Sequence, residues 1–169
     1  MKAIHLCTIL LLFAVNQNAV SQLQMSSFET LEEKMKTIAK PIVVFIHTDW
    51  CVYCKNMKNT TFNDPEVIEK LNNDFYFISF NAESLESIDF LNHTFHFESN
   101  GHRTGIHSLA KELATVNNKI AYPTTTILNQ DYEVIFQYQS FLSAKDLNII
   151  LEKISHNNEK HTTNLHSTF

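Results

Sequence analysis

Cys51 and Cys54 stand two residues apart in the stretch Trp50-Cys51-Val52-Tyr53-Cys54-Lys55, shortly after the apolar run Ile42-Val43-Val44-Phe45-Ile46. A C-x-x-C placed where a buried strand ends and a helix begins suits thiol redox chemistry. The thiolate is the reactive form, and a free thiol titrates too high to be mostly ionised at neutral pH. At a helix N-terminus, unpaired backbone N–H groups and the helix dipole stabilise a negative sulfur on Cys51. Cys54 then falls one turn inside the same helix, within disulfide reach. In this arrangement Cys51 attacks a substrate disulfide and Cys54 resolves the mixed disulfide. Neither Val52 nor Tyr53 is Gly or Pro, so the first turn forms without strain.

Other uses of the pair are compatible with these residues. One C-x-x-C is half of a four-thiolate zinc site, and no second pair exists to complete it. His93, His96, His102 and His107 could supply ligands, but their spacings match no compact zinc pattern. Copper or zinc handling by the two thiolates alone is a further possibility. A structural staple is poorly motivated, because closing so small a loop removes little unfolded-state entropy. A redox-inert binding or chaperone module using the cleft between Trp50 and Tyr122 is the alternative from another class.

The compartment matters to this choice. The chain has 169 residues, 44% of them hydrophobic and 18% charged, with a net charge of −5. That is the profile of a folded domain with a sizeable core, and nothing in it suggests nucleic acid or an anionic membrane as partner. Lys2, the apolar segment Ala3 to Val15 and the small residues of Ala19-Val20-Ser21 predict a cleavable signal peptide over 1–21, cut after Ser21. The apolar segment is shorter than the ~20 residues a spanning helix needs. Cys7 leaves with the leader, so Cys51 and Cys54 become the only cysteines of a periplasmic or secreted protein. An oxidising compartment lets them close and stay closed.

The remaining elements must position the pair. Ser26 with Glu29 reads as a capping box, followed by an apolar stripe of Phe28, Leu31, Met35 and Ile38 at helical spacing. Pro41 ends that helix, and the unalternating run Ile42 to Ile46 predicts a strand covered on both faces. A helix starts near Cys51. Asp64-Pro65 opens the next, with Val67, Ile68 and Leu71 inward. Phe75 to Phe80 is a second strand. An inserted region of about 84–105 holds a hairpin around Asn92-His93, then Gly101 and Gly105, whose presence marks positive φ or close approach. A flap or docking surface and a decorating hairpin that covers a sheet edge are both open for it. Ile106 to Leu113 reads as a helix ended by Asn117-Asn118, Thr124 to Leu128 as a strand, and Val134 to Tyr138 as its antiparallel partner. Ser143 caps a last helix with Leu147, Ile150, Leu151 and Ile154 inward. Crossover helices imply parallel pairing and the closing hairpin an antiparallel edge. The domain spans 22–155, and 156–169 reads as a flexible tail.

Trp50-Cys51-Val52-Tyr53-Cys54-Lys55 after an apolar strand, with Tyr122-Pro123-Thr124 opening a later one, resembles the thioredoxin superfamily. Lys40-Pro41 through Lys55, continuing into Thr61-Phe62-Asn63-Asp64-Pro65-Glu66-Val67, is most similar to bacterial periplasmic members: the C-terminal domain of the thiol:disulfide interchange protein and related exported reductases. The resemblance covers about Phe28 to Ile154. It implies an α/β three-layer sandwich, a mixed central sheet with helices on both faces, carrying the inserted region. It implies an exported thiol:disulfide oxidoreductase, reducing protein disulfides with Cys51 and Cys54; an oxidase or isomerase would use the same residues. Pro123 becomes the cis-proline facing the disulfide, Tyr122 offers backbone to an extended substrate, and Trp50 packs beside the site. No cofactor is implied beyond the Cys51–Cys54 disulfide, and the partners are protein substrates and a membrane-embedded redox donor. One departure stands out: many relatives carry a buried carboxylate six residues before the first cysteine, where this chain has Phe45. His47, Asp49 and Lys58 are the nearest candidates to replace it, though each reads more readily as a surface charge.

Overall fold

The computed structural model describes residues 21–102 and 104–166. The leader and Cys7 lie outside the described residues, with Ser21 at their margin.

The first helix, α1 (Phe28–Thr37), starts one position later than the Ser26 capping box predicts: Ser27 is the N-cap and Thr30 its reciprocal partner. Ser26 is engaged elsewhere, giving its backbone N–H to the Phe77 carbonyl at 2.7 Å. Phe28 and Leu31 are buried, whereas Ile38 falls at the C-cap, outside the helix, and is largely exposed.

Strand β1 (Ile42–His47) is buried at all six positions, as its unalternating apolar run requires. It lies inside a four-stranded sheet of order β10-β9-β1-β2, formed with β2 (Tyr76–Asn81), β9 (Thr124–Leu128) and β10 (Val134–Tyr138). The crossover from β1 to β2 runs through α2 (Val52–Asn59), a 3-10 turn at Thr61–Asn63 and α3 (Pro65–Asp74), and the two strands pair in parallel. Asp64 caps α3 as predicted, its Oδ1 accepting from the Glu66 and Val67 amides at 3.0 and 3.1 Å.

The second crossover departs from expectation, because β9 runs antiparallel to β1. Helix α4 (Ser108–Ala114) is only 7 residues long, about 10 Å at 1.5 Å per residue. A small hairpin, β7 (Thr115–Val116) with β8 (Lys119–Ile120), then reverses the chain across Asn117-Asn118, both at positive φ. Thr124 thereby enters the sheet opposite Ile46, at the end where β1 finishes. Among the described strands of this sheet only β1 and β2 are parallel neighbours; β10 closes the other edge antiparallel to β9.

The inserted region forms two hairpins rather than one. Strand β3 (Ile88–Phe90) pairs with β4 (His93–Phe95), turning at Leu91-Asn92, and β5 (Phe97–Gly101) pairs with β6 (Thr104–His107). Ile106 therefore belongs to a strand, and His107 caps the helix that follows. The glycines lack positive φ. Gly105 is a close approach instead, since a Cβ there would sit 2.3 Å from the Phe97 ring and 2.4 Å from the Glu98 carbonyl. The β3–β4 hairpin covers a core face, not a sheet edge: Phe90 packs on Phe28 and Tyr132 with ring centroids 5.1 and 5.5 Å away. The free side of β2 is shielded by the N-terminal segment, where Met25 bridges to Phe77.

Two cores sandwich the sheet. One joins Phe28, Leu31, Ile42, Val44, Ile46, Phe90 and Leu109 under α1 and α4; the other joins Val43, Phe45, Cys51, Cys54, Phe62, Leu71 and Leu147 under α2, α3 and the closing helix α5 (Ala144–His166). The three-layer arrangement with a mixed sheet is the expected fold. Ser143 caps α5, its hydroxyl accepting from the Asp146 amide at 3.2 Å. The helix runs on through the polar residues after His156, so the predicted boundary of a flexible tail there does not coincide with the end of helical backbone. Once the apolar turns around Leu147 and Leu151 are anchored, each further residue adds a backbone bond without a new nucleation cost.

Candidate active site

Cys51 is the N-cap of α2, and its Sγ accepts the Cys54 backbone N–H at 3.1 Å. The Lys55 N–H reaches the Cys51 carbonyl at 3.1 Å, so the first turn closes around the pair. The two sulfurs are joined in a disulfide with the Cα atoms 5.2 Å apart. Both are buried, with exposures of 4% for Cys51 and 1% for Cys54. Around them Trp50, Val52 and Tyr53 are largely exposed. They leave an exposed, largely apolar patch at the loop-to-helix junction.

Tyr122-Pro123 is a cis peptide, with Pro123 buried. Tyr122 packs against the core containing both cysteines and meets the Trp50 ring edge-on at 6.0 Å. Trp50, Cys51, Cys54, Tyr122 and Pro123 therefore gather at one place, although Tyr122-Pro123 lies far along the chain. Glu83, absent from the sequence-based candidates, completes the group: it accepts the Trp50 Nε1–H at 3.0 Å. Burial, and then the Glu83 carboxylate, push the Tyr122 hydroxyl up to about 12, so it stays protonated. No spacing rule distinguishes Glu83 from other exposed glutamates.

Beneath the disulfide the missing acid is confirmed as an aromatic. Phe45 is fully buried and contacts the Phe62 ring at 4.7 Å. Two positions along the same sheet face, His47 stacks on Phe45 and receives Lys58 Nζ at 2.9 Å from its Nε2. An ammonium has only donors, so Nε2 is the unprotonated nitrogen. Burial chiefly, and the Lys58 charge second, lower His47 to about 4. Burial also lowers Lys58, against the pull of Asp49. His47 is therefore neutral and already bonded, Lys58 carries its proton, and Asp49 is exposed. None of the three is a buried carboxylate. A cavity of about 580 Å³ adjoins this face, lined by Leu23, Phe45, Lys58, Phe62, Phe77 and Ser79 among others. Two buried hydroxyls nearby, Thr48 Oγ1 and Thr125 Oγ1, have no hydrogen-bond partner among the described residues.

His47 makes stability depend on pH. Its folded value lies below the ordinary 6.5, so the unfolded chain binds more protons between about 6.5 and about 4. Stability is then full above that window and falls as pH drops through it. A shift of this size corresponds to at most about 3 kcal/mol. Urea unfolding of His47→Gln should show a flatter pH profile across this window; an unchanged slope would mean that His47 does not set it.

Of the four histidines that could supply metal ligands, His107 is committed to structure. Its Nδ1 accepts the Leu109 amide at 3.3 Å while Nε2–H points to the Glu86 carbonyl at 3.0 Å, tying the insertion to α4. Among the described residues, no group of three His, Cys, Asp or Glu side chains is placed to hold a metal ion.

A thioredoxin-like domain model matches residues 28–155. The chain belongs to the thioredoxin-like domain family. The thiol:disulfide interchange protein DsbD of Campylobacter jejuni is 32% identical over 60 residues, covering 36% of this chain and 11% of that protein. The chain thus spans about a ninth of the curated relative's length. A thioredoxin from Thermus thermophilus superposes with a TM-score of 0.56 at 14% identity, covering 79% of this chain and 88% of that one. A thioredoxin-fold protein from Helicobacter pylori gives 0.55 at 17% identity, over 72% and 73%. At these identities the likeness is one of fold. Among the described residues no helix is long and apolar enough to cross a membrane.

Proposed function

We propose that this protein is an exported thiol:disulfide oxidoreductase that reduces disulfides in protein substrates. The observation that carries the reading is a Cys51–Cys54 disulfide at the N-terminus of α2, ringed by exposed Trp50, Val52 and Tyr53. In the reduced form Cys51, stabilised as thiolate by the helix end, attacks one sulfur of the substrate disulfide and expels the other as a thiol. Cys54 then attacks Cys51, releasing the second substrate thiol and restoring the disulfide found here. Two electrons pass from the dithiol to the substrate. Tyr122 and Pro123 form the wall against which an extended substrate chain lies, and Trp50 packs beside it.

Turnover requires a dithiol donor to re-reduce the pair, and in an oxidising compartment a membrane-embedded redox partner supplies those electrons. The named relative, a thiol:disulfide interchange protein, supports thiol:disulfide exchange as the chemistry. Cys54→Ala trapping in cells tests the reading, because an unresolved mixed disulfide at Cys51 captures the partner covalently. Absence of any adduct would remove the proposal. A dithiol–disulfide potential as oxidising as about −120 mV would leave the chemistry and reverse its direction.

A further inference from the structure

Thr125 lies two residues beyond Pro123 and is paired with Phe45 across β1 and β9. Residues opposite each other in a ladder share a sheet face, and both Phe45 and Ile127 belong to the core that contains Cys51 and Cys54. Thr125 is fully buried, yet its Oγ1 has no hydrogen-bond partner among the described residues. Its strand neighbours show the usual arrangement. Thr124 Oγ1 donates to the Ala121 carbonyl at 2.7 Å, and Thr126 Oγ1 to the Leu113 carbonyl at 2.6 Å. For packing alone, valine would fill the Thr125 position without stranding a hydroxyl.

We infer that Thr125 is a positioning residue for Cys54: its hydroxyl donates a hydrogen bond to the Cys54 thiolate once the disulfide opens. The inference rests on the dithiol–disulfide exchange proposed above. In the oxidised form both sulfurs are bonded and uncharged, so the hydroxyl has no strong acceptor. On resolution, Cys54 gives its proton to water, and the thiolate attacks Cys51 Sγ. The bond between Cys51 and the substrate sulfur breaks, and the departing thiolate takes up a proton. Thr125 keeps its own proton throughout. A hydroxyl beside Phe45 thus stabilises the charge that a carboxyl at the Phe45 position would otherwise help to generate. Among the described residues, the other ionisable groups on this side are His47 of β1 and Lys58 of α2, bonded to each other, the exposed Asp49 after β1, and Tyr122 before β9 with the Glu83 carboxylate near it.

The reduced protein is mixed with an aryl disulfide that releases one chromophore when Cys51 attacks and a second when Cys54 resolves. Thr125→Val should leave the first release unchanged and slow the second about tenfold near neutral pH, a deficit that vanishes at alkaline pH where Cys54 ionises unaided. Thr125→Ser, which keeps the hydroxyl, should restore the rate. Removing the unpaired hydroxyl should also shift the dithiol–disulfide equilibrium towards the oxidised form. A second release that is unchanged in Thr125→Val, or slowed equally at every pH, would overturn the inference, as would failure of a folded Thr125→Ser to restore it. Loss of the first release in the unmodified protein would instead remove the oxidoreductase reading.

Discussion

Cys51→Ser is expected to reduce turnover of protein disulfides by at least about a thousandfold, to the background of the uncatalysed reaction. A serine hydroxyl neither ionises at neutral pH nor exchanges with a disulfide sulfur, so the helix N-terminus has no thiolate to stabilise. Serine is close to cysteine in size and favours the N-cap position that Cys51 occupies. Folding should therefore survive, and the loss should be chemical. An insulin-type disulfide reduction assay with a dithiol donor measures it, alongside circular dichroism to verify the fold. Full function of the variant in the cell would instead identify a redox-inert binding module in which the exposed Trp50 and Tyr53 do the work.

Phe45→Ala should cost about 3–5 kcal/mol of stability, the range for removing a buried aromatic side chain. Phe45 is 0% exposed, meets Phe62 at 4.7 Å and His47 at 5.5 Å, and sits on the strand at the heart of the sheet. The surrounding core is held by α2, α3 and the sheet together, so collapse into the space is limited, and the existing cavity beside Phe45 would grow. For a domain of this size such a loss lowers Tm by on the order of 10 °C. Thermal and urea unfolding check it. A change under about 1 kcal/mol would mean that the aromatic contributes little to packing, and that its presence in place of an acid needs a different reason.

Much of the site was legible in the residue order because the signals are local. A C-x-x-C after a six-residue buried strand places Cys51 at a helix start through backbone geometry alone, and the structure has it there as N-cap. Asp64-Pro65 and Ser143 are short-range caps of the same kind. Where the structure departs from the local signal, a longer-range contact decides. Ser26 lost its capping role to Ser27 because its N–H is taken by Phe77 in β2. The hairpin of β7 and β8 was invisible because each strand is two residues long, too short for any periodicity. That hairpin reverses the chain and sets β9 antiparallel to β1.

The residue order by itself determined the pair of sulfurs, the strand and helix that hold them, and the absence of an acid at Phe45, because each depends on neighbours within one or two turns of chain. Only the tertiary structure decided what surrounds them. Glu83 holds Trp50 through a bond spanning 33 residues, His47 meets Lys58 across a strand and a helix, and Thr125 comes opposite Phe45 through the sheet register. Such contacts join residues far apart in the chain, and no local propensity encodes them. Burial then gives them their chemistry: it strips water from His47 until it is neutral, and it leaves the Thr125 hydroxyl opposite Phe45 without a partner among the described residues.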